Sequence, residues 1–331
     1  MSFQQIPGQE RAKRILQNGL TGNKVSHAYI FHGPAGTGKK AMAMAFAKAL
    51  LCERRGSDSC GECLACRKVE SGNHTSLHLI APDGASVKID QIRELQKQFA
   101  YRQSAGSGPQ VYIVEAADKL TVQAANSLLK FLEEPGAQIV AILLAVNGQA
   151  LLPTIRSRAQ MIPLLPLSPL EMAPILLSEG IAEALVRPAV RLAAGLDAAR
   201  TLSQLNWFAE IRSVMIQLAK ECSAGTPAAM LTVQQKLVKS ELSEHADILF
   251  DLFVLWFKDM VNMQWNRKDR IVFIDQVDFI ATEAWRRNSG EWVSCMRRAM
   301  EARKRLRAHV NAQLAIDHFL IAMSGTASGG R

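Results

Sequence analysis

The sequence predicts an α/β domain built on a mostly parallel sheet, followed by an all-α region. Three observations carry this reading. Short apolar runs alternate with helically spaced stretches from Val25 to Leu165, a glycine-rich loop follows the first apolar run, and strand signals nearly vanish after Pro166.

Taken in order, Ala28–His32, Leu77–Ala81, Val111–Glu115, Ile139–Val146 and Met161–Leu165 read as strands. Each suits a strand of a parallel sheet. Between them Ala41–Leu51, Ile89–Phe99 and Val122–Glu134 repeat apolar residues at helical spacing, and Pro135-Gly136 stops the last of these. From Ser168 to about Ser203 the chain reads as short helices, the first with Ser168 and Glu171 at capping-box spacing. From Leu205 to Met323 the helical period persists, broken in the Cys222–Thr232 region with its Gly225 and Pro227, and again at an Asn288–Gly290 turn. The expected domains are 1–166, with a cysteine module at 52–66, then 167–205 and 206–325, with 326–331 as a disordered Gly/Ser-rich tail. No internal repeat is evident.

A length of 331 residues accommodates two or three domains, and 48% hydrophobic against 21% charged residues excludes disorder as the main state. Lys and Arg number 39 against 30 Asp and Glu, a net charge of +9 that favours acidic partners such as nucleic acid or nucleotides. No run reaches the ~18 apolar residues of a membrane span. The opening MSFQQIPGQERAKR lacks the apolar centre of a signal peptide, so a cytoplasmic protein is expected. Six cysteines in such a compartment argue against a disulfide framework.

Gly33-Pro34-Ala35-Gly36-Thr37-Gly38-Lys39-Lys40 holds the complete G-x-x-x-x-G-K frame of a phosphate loop, between a strand and a helix. Its backbone N–H groups and the helix N-terminus can cradle a phosphate chain, with Lys39 reaching the outer phosphates. The plain alternative is a glycine-rich turn. Position 40 should be Ser or Thr, whose hydroxyl ligates Mg²⁺, and Lys40 cannot ligate a cation. The strand ending in Glu115 stands where a hydrolase carries Asp-Glu, but Ala116 follows, and it cannot polarise water. Glu115 can still sit near a metal. Two departures therefore favour a loop kept for its fold or for weak nucleotide binding.

Cys52, Cys60, Cys63 and Cys66 supply four thiolates, three at tight spacing. Four cysteines suit structural zinc at about 2.3 Å per Zn–S bond. A four-iron cluster shares the C-x2-C-x2-C spacing, but its runs continue x3-C-P, whereas Arg67-Lys68-Val69-Glu70 follows here. Unligated or redox-active thiols are the remaining alternative. A closed four-thiolate site has no open position for substrate, so its role is structural.

Further residues join these motifs: Gly8-Gln9; Ser26-His27-Ala28-Tyr29-Ile30-Phe31; Ile89-Asp90-Gln91-Ile92-Arg93; Ala124 through Pro135, AANSLLKFLEEP; and Ser157-Arg158-Ala159. With them the chain resembles the delta-prime family of bacterial DNA polymerase III clamp-loader subunits, within the wider AAA+ family. The resemblance covers the first two domains well and the third more loosely. It implies an AAA+ phosphate-loop domain with a zinc insertion, a small helical lid at 167–205 and a helical collar at 206–325. It also implies that Arg158 is an arginine finger, reaching the ATP of a neighbouring subunit and stabilising charge in phosphoryl transfer. Asn147 falls where the family carries its sensor-one residue, and Ala198, two positions before Arg200, where active members carry the sensor-two arginine. An exposed helix-end arginine or local ion pair for Arg158, and a turn former for Asn147, are the plain alternatives.

Within this resemblance Lys40, Ala116 and Ala198 select the non-hydrolysing role, which in the family implies a stator in a hetero-pentamer with ATPase motor subunits and a delta subunit. That ring loads the sliding clamp onto primed DNA as part of the DNA-directed DNA polymerase, a nucleotidyltransferase holoenzyme. The resemblance implies structural zinc, ATP bound but not hydrolysed if bound at all, and no membrane. Enzymatic activity of the chain itself is left open. An active ATPase motor of the same loader is the alternative. A stand-alone zinc-dependent DNA-binding protein is weaker, because the cysteine segment is expected to lack the helix and base-reading side chains of known fingers. The basic run Arg297, Arg298, Arg303, Lys304, Arg305 and Arg307 reads as a solvated helix face or a nucleic-acid contact. Trp256 and Trp265 read as core or collar-interface residues.

Overall fold

Five strands make one parallel sheet among the described residues: β1 (Ala28–His32), β2 (Leu77–Ile80), β3 (Gln110–Val114), β4 (Ile139–Ala145) and β5 (Gln160–Pro163), in spatial order β2-β3-β4-β1-β5. The computed structural model describes residues 2–103, 109–133, 139–238, 241–308 and 311–324. The Pro135-Gly136 stop and the tail 326–331 lie outside them. The chain divides into two compact units, Met1–Leu167 and Ser168–Arg331.

In the first unit β1 pairs with β4 through Ala28↔Ala141 to His32↔Ala145, and with β5 through Tyr29↔Gln160 to His32↔Pro163. Strand alternation sends Tyr29, Phe31, Val111, Ile113, Ile142 and Leu144 to one face, against α1 (Glu10–Thr21) and α2 (Lys39–Leu51). Ala28, Ile30, Tyr112, Val114, Ala141 and Leu143 go to the other, against α4 (Ile89–Gln103), α5 (Val122–Glu133) and α6 (Pro153–Arg156). Both faces are covered, which is why these strands read as unbroken apolar runs. The alanines of α2 let it lie close to the sheet, and Phe46 meets the Tyr29 ring edge-on at 5.0 Å. The remaining helix of this unit, α3 (Leu64–Glu70), belongs to the cysteine segment.

The second unit holds α7 (Pro169–Ser178), α8 (Glu183–Leu192), α9 (Leu196–Gln204), α10 (Asn206–Ala224), α11 (Thr226–Thr232), α12 (Ala246–Gln264), α13 (Val277–Glu283), α14 (Ser289–Arg307) and α15 (Ala312–Ser324). The expected capping box opens α7: the Glu171 N–H donates to Ser168 Oγ at 3.3 Å and the Ser168 N–H to Glu171 Oε2 at 2.8 Å. Two expected breaks are narrower than the sequence suggests. Gly225, at φ +149°, separates α10 from α11, and Pro227 fits the first turn of α11, where no N–H is needed. Asn288 is an N-cap rather than a turn, and Ser289 and Gly290 already belong to α14. Trp256 is buried beside Phe273 in the helical core, whereas Trp265 is 60% exposed. No helix among the described residues is long and apolar enough to cross a membrane.

One carboxylate lies inside this helical core. Asp259 on α12 is fully buried, and its Oδ2 accepts the N–H groups of Val272 and Phe273 at 2.8 and 2.9 Å. Burial pushes its carboxyl up to about 6, against the lowering pull of those N–H donors and of Arg191. The fold therefore binds more protons than the unfolded chain between about pH 4 and pH 6, and stability falls as pH rises through that window. Asp259→Asn keeps an acceptor for both N–H groups but cannot ionise. Urea unfolding should give wild type and D259N similar stabilities near pH 4, with the variant relatively more stable by about 3 kcal/mol above pH 6.

Candidate functional site

The phosphate loop leaves β1 at Gly33, whose N–H donates to the Ala145 carbonyl of β4 at 3.2 Å. A Cβ at position 33 would overlap the Leu164 carbonyl oxygen, so only glycine lets the two chains pass. Gly38, at φ +76°, is the left-handed N-cap that turns the loop into α2. Thr37 Oγ1 donates to the Pro34 carbonyl at 3.0 Å, and Lys39 Nζ to the Gly33 and Pro34 carbonyls at 2.6 and 2.7 Å. Burial pushes the Lys39 ammonium down in pKa, opposed by the charge of Asp118.

Gln9 fastens the loop from outside. Its Nε2 donates to the Thr37 carbonyl at 3.3 Å and to the Leu165 carbonyl at 2.5 Å, while its Oε1 accepts the Leu165 N–H at 3.1 Å. It does so from a left-handed backbone, φ +62°, immediately before α1.

Lys40 and Glu115, two of the sequence-predicted residues, meet. Lys40 Nζ lies 2.7 Å from Glu115 Oε1, with the side chains 61% and 25% exposed. An ammonium therefore neutralises the carboxylate that a metal would otherwise hold. Ala116 follows at φ +48°, a left-handed conformation that costs a non-glycine residue about 1 kcal/mol. It brings no carboxylate to the site. These residues do not fit Mg²⁺, since one ligand position carries a cation and the remaining acid is already paired. The glycine frame and the ammonium groups do fit phosphate.

Asn147 acts as a turn former: its Oδ1 accepts the Gln149 N–H at 2.9 Å and caps the 148–150 turn. Asp118 Oδ2 accepts the Val146 and Asn147 N–H groups at 3.2 and 3.4 Å, tying the ends of β3 and β4 together. Arg158 takes the local ion pair: its Nη2 is 3.0 Å from Glu133 Oε1 and its Nη1 donates to the Thr154 carbonyl at 3.0 Å. It remains 37% exposed. In the other unit Ala198 is exposed, and Arg200 forks onto Glu179 at 2.7 and 2.8 Å and onto Asp197 at 2.7 Å. Three arginines of the basic run are engaged within their own unit. Arg298 donates to the Ala322 carbonyl, Arg303 pairs with Asp251 at 2.7 Å, and Arg305 meets His318 Nδ1 at 3.4 Å.

The four clustered cysteines converge, their Sγ atoms all within 4.8 Å of one another and those of Cys60 and Cys66 3.9 Å apart. A tetrahedron of 2.3 Å bonds has sulfur atoms about 3.8 Å apart, so the four fit a single ion. The Cys60, Cys63 and Cys66 N–H groups donate to Cys52, Cys60 and Cys63 sulfurs at 3.5, 3.4 and 3.4 Å, a cradle for negative sulfur. The Cys63 N–H draws the Cys60 thiol down to about 6, while burial pushes Cys66 up to about 12, so without a cation the four do not all ionise. The segment carries one short helix. Cys63 is the N-cap of α3, whose Ala65, Cys66 and Val69 turn inward at helical spacing.

Comparison with known proteins adds independent support. Residues 8–168 match a family profile described as DNA polymerase III, delta subunit. The DNA polymerase III subunit delta' of Bacillus subtilis is 33% identical over 314 residues, 95% of each chain. The chain belongs to the delta-prime family. The Pseudomonas aeruginosa delta' subunit is 40% identical over 136 residues, 40% of this chain and 41% of its own. The tau subunit of B. subtilis is 39% identical over 160 residues, 48% of this chain and 28% of its own. Among solved structures, a DNA polymerase III gamma subunit-related protein of Thermotoga maritima superposes with a TM-score of 0.42 at 15% identity, covering 96% of this chain and 99% of that one.

In this delta-prime chain the residues that sequence reasoning overlooked are connectors: Gln9, Asp118 and Glu133. Gly8-Gln9 stood in the resemblance, but nothing in its spacing shows that the amide reaches Thr37 and Leu165. Gln9→Ala should leave the fold intact, lower stability by about 1–2 kcal/mol, and speed hydrogen exchange of the amides at Thr37 and Gly38. Unchanged exchange there would remove the fastening role.

Proposed function

We propose that this chain is the non-hydrolysing delta-prime stator of a DNA polymerase III clamp loader. It acts in a hetero-pentamer with ATPase motor and delta subunits that places a sliding clamp on primed DNA. The observation that carries the non-hydrolysing part is the Lys40–Glu115 ion pair beside Ala116. It removes both the metal and the water-orienting acid that phosphoryl transfer to water requires. Residues 1–166 act as the AAA+ domain, 167–205 as its lid and 206–325 as the collar that joins the ring.

The chain's contribution to chemistry is Arg158, presented to the nucleotide of a neighbouring subunit. Glu133 and the Thr154 carbonyl fix its guanidinium in the isolated chain, so engagement exchanges the Glu133 carboxylate for phosphate oxygens. An arginine in that role is worth about 10³-fold or more in turnover. The purified chain should show MgATP turnover no higher than its Lys39→Ala variant. Arg158→Ala should assemble normally yet cut the ATPase rate of the ring by at least tenfold. Turnover by the chain alone would favour the motor role, and an unaffected ring would remove the finger.

The ion at Cys52, Cys60, Cys63 and Cys66 is zinc in this reading, held by four thiolates with no open position. Zinc there supplies a cross-link for a segment with little apolar core of its own. Such a site contributes about 10 kcal/mol to folding, comparable with the stability of a whole domain. Elemental analysis of protein purified without added metal should find about one zinc per chain. Cys63→Ser should lose it and unfold the 52–70 segment, whereas iron with visible absorbance would replace the zinc assignment.

A further inference from the structure

We infer that the second unit carries a site for a single strand of nucleic acid, in a groove walled by Trp265 and Trp285. None of its residues belongs to the phosphate loop or to the proposed arginine finger, so it stands or falls apart from both.

Tryptophan is highly buried on average, and Trp256 and Trp292 do sit in the helical core. Trp265 and Trp285 are instead 60% and 68% exposed, and they line one groove of about 480 Å³. Sites for small ligands span about 300–1,000 Å³. Trp265 is the C-cap of α12, its N–H donating to the Val261 carbonyl at 3.1 Å, and Trp285 stands in the short turn Ala284–Arg286 after α13. Gln264 ties the two segments together. Its Nε2 donates to the Ala284 and Arg287 carbonyls at 2.6 and 2.7 Å, and its Oε1 accepts from Ser289 Oγ at 2.7 Å. The backbone carrying both indoles is therefore a hydrogen-bonded frame.

The lining selects the occupant. Between its two aromatic walls the groove is polar, lined by Gln264, Arg286, Arg287, Asn288, Ser289 and Glu291. A partner's aliphatic side chain would gain little there and would leave those groups without water. A nucleobase fits both features, with apolar faces to stack and a polar edge to hydrogen-bond. Cations stand beside the rings. The Arg267 guanidinium lies 5.1 Å from the centre of the Trp265 ring, and Arg286 stays 58% exposed while paired with Glu283 at 3.2 Å. Lys268 and Arg270 follow on the same exposed turn, against one acid, Asp269. The acid of the groove itself is already engaged, since Glu291 Oε2 accepts the Asn288 N–H at 2.8 Å in the capping box of α14. Two stacking faces with guanidinium groups beside them match the base-and-phosphate repeat of a strand. A single exposed face would hold a free nucleotide only weakly.

The test is fluorescence anisotropy of a labelled oligothymidylate of roughly 12 nucleotides, titrated with the full chain at low salt. The wild-type chain should bind it, and a duplex of the same length should bind more weakly. Trp265→Ala and Trp285→Ala, with folding checked by thermal melting, should each weaken binding about tenfold, and Trp265→Phe should recover most of that loss. Arg267→Ala should weaken binding and reduce its dependence on salt. Lys304→Ala, on an exposed position of α14, should bind as wild type does. Any of five results overturns the inference: no binding by the wild-type chain, binding by both alanine variants that matches wild type, a duplex bound as tightly as the single strand, thymidine monophosphate competing as well as the strand, or a loss in Lys304→Ala as large as in the tryptophan variants. The fourth would assign the groove to a mononucleotide and the fifth would move the contact to α14. Tryptophan variants that bind the strand normally but fail to join the other clamp-loader subunits would assign the groove to a protein partner instead.

Discussion

The position of β1 between β4 and β5 governs the first unit. With both lateral edges paired and both faces buried, β1 can only hand its chain onward at its carboxyl end. Because every neighbour is parallel, the other strands end at that same edge. Gly33 therefore leaves beside the Ala145 carbonyl, Leu164 passes against it, and Glu115 ends β3 within reach of the first turn of α2. Residues scattered through the chain therefore meet at the carboxyl edge of the sheet. Gln9 and Asp118 brace that edge, one to the segment after β5 and one to the segment after β4.

At that edge, charge decides what remains possible. A pair of side chains exposed as far as Lys40 and Glu115 contributes at most about 1 kcal/mol to stability. Its significance is occupancy rather than strength. A lysine at position 40 without Glu115 would be an unbalanced cation, and Glu115 without a metal or a lysine would repel phosphate. Together they are neutral, and Ala116 completes the loss of the water-orienting acid while holding a left-handed backbone. The same logic applies at Arg158, where Glu133 keeps a guanidinium oriented at the surface instead of leaving it to sample rotamers.

Strands were legible in the sequence to within a residue or two because burial on both faces leaves an unmistakable apolar run, as in Ile139–Ala145. The capping box at Ser168 was legible because all its information is local. Three kinds of feature were not. The helix α3 is short, and its N-cap is a cysteine that reads as a metal ligand first. The α1 helix does carry Ala12, Ile15, Leu16 and Leu20 at helical spacing, but they stand alone among charged and polar residues, with no neighbouring strand signal to frame them. Pairings such as Lys40 with Glu115, Arg158 with Glu133 and Gln9 with Leu165 depend on sheet order, which periodicity does not encode. The sequence could name Lys40 as a departure and Glu115 as a residue still able to sit near a metal; only the strand order makes them a pair.

The helix α2 joins the two functional elements of this unit. Its N-terminus is the phosphate loop, and its C-cap is Cys52, the first of the four clustered thiols. Thirteen residues at 1.5 Å each put the ends about 20 Å apart on one rod. Lys48, buried on the same helix, pairs with Glu70 at the end of α3 at 2.5 Å and ties the cysteine segment to the rod a second time. The apolar flank of α2 is packed along almost its whole length, so neither end can move far without the other. A subunit that hydrolyses nucleotide benefits from a phosphate loop that can shift. The proposed stator role, which presents a fixed surface and a fixed arginine, suits a loop braced at both ends of its helix. The cysteine segment, about 20 Å from the loop, is thereby tied to the same helix that carries the loop.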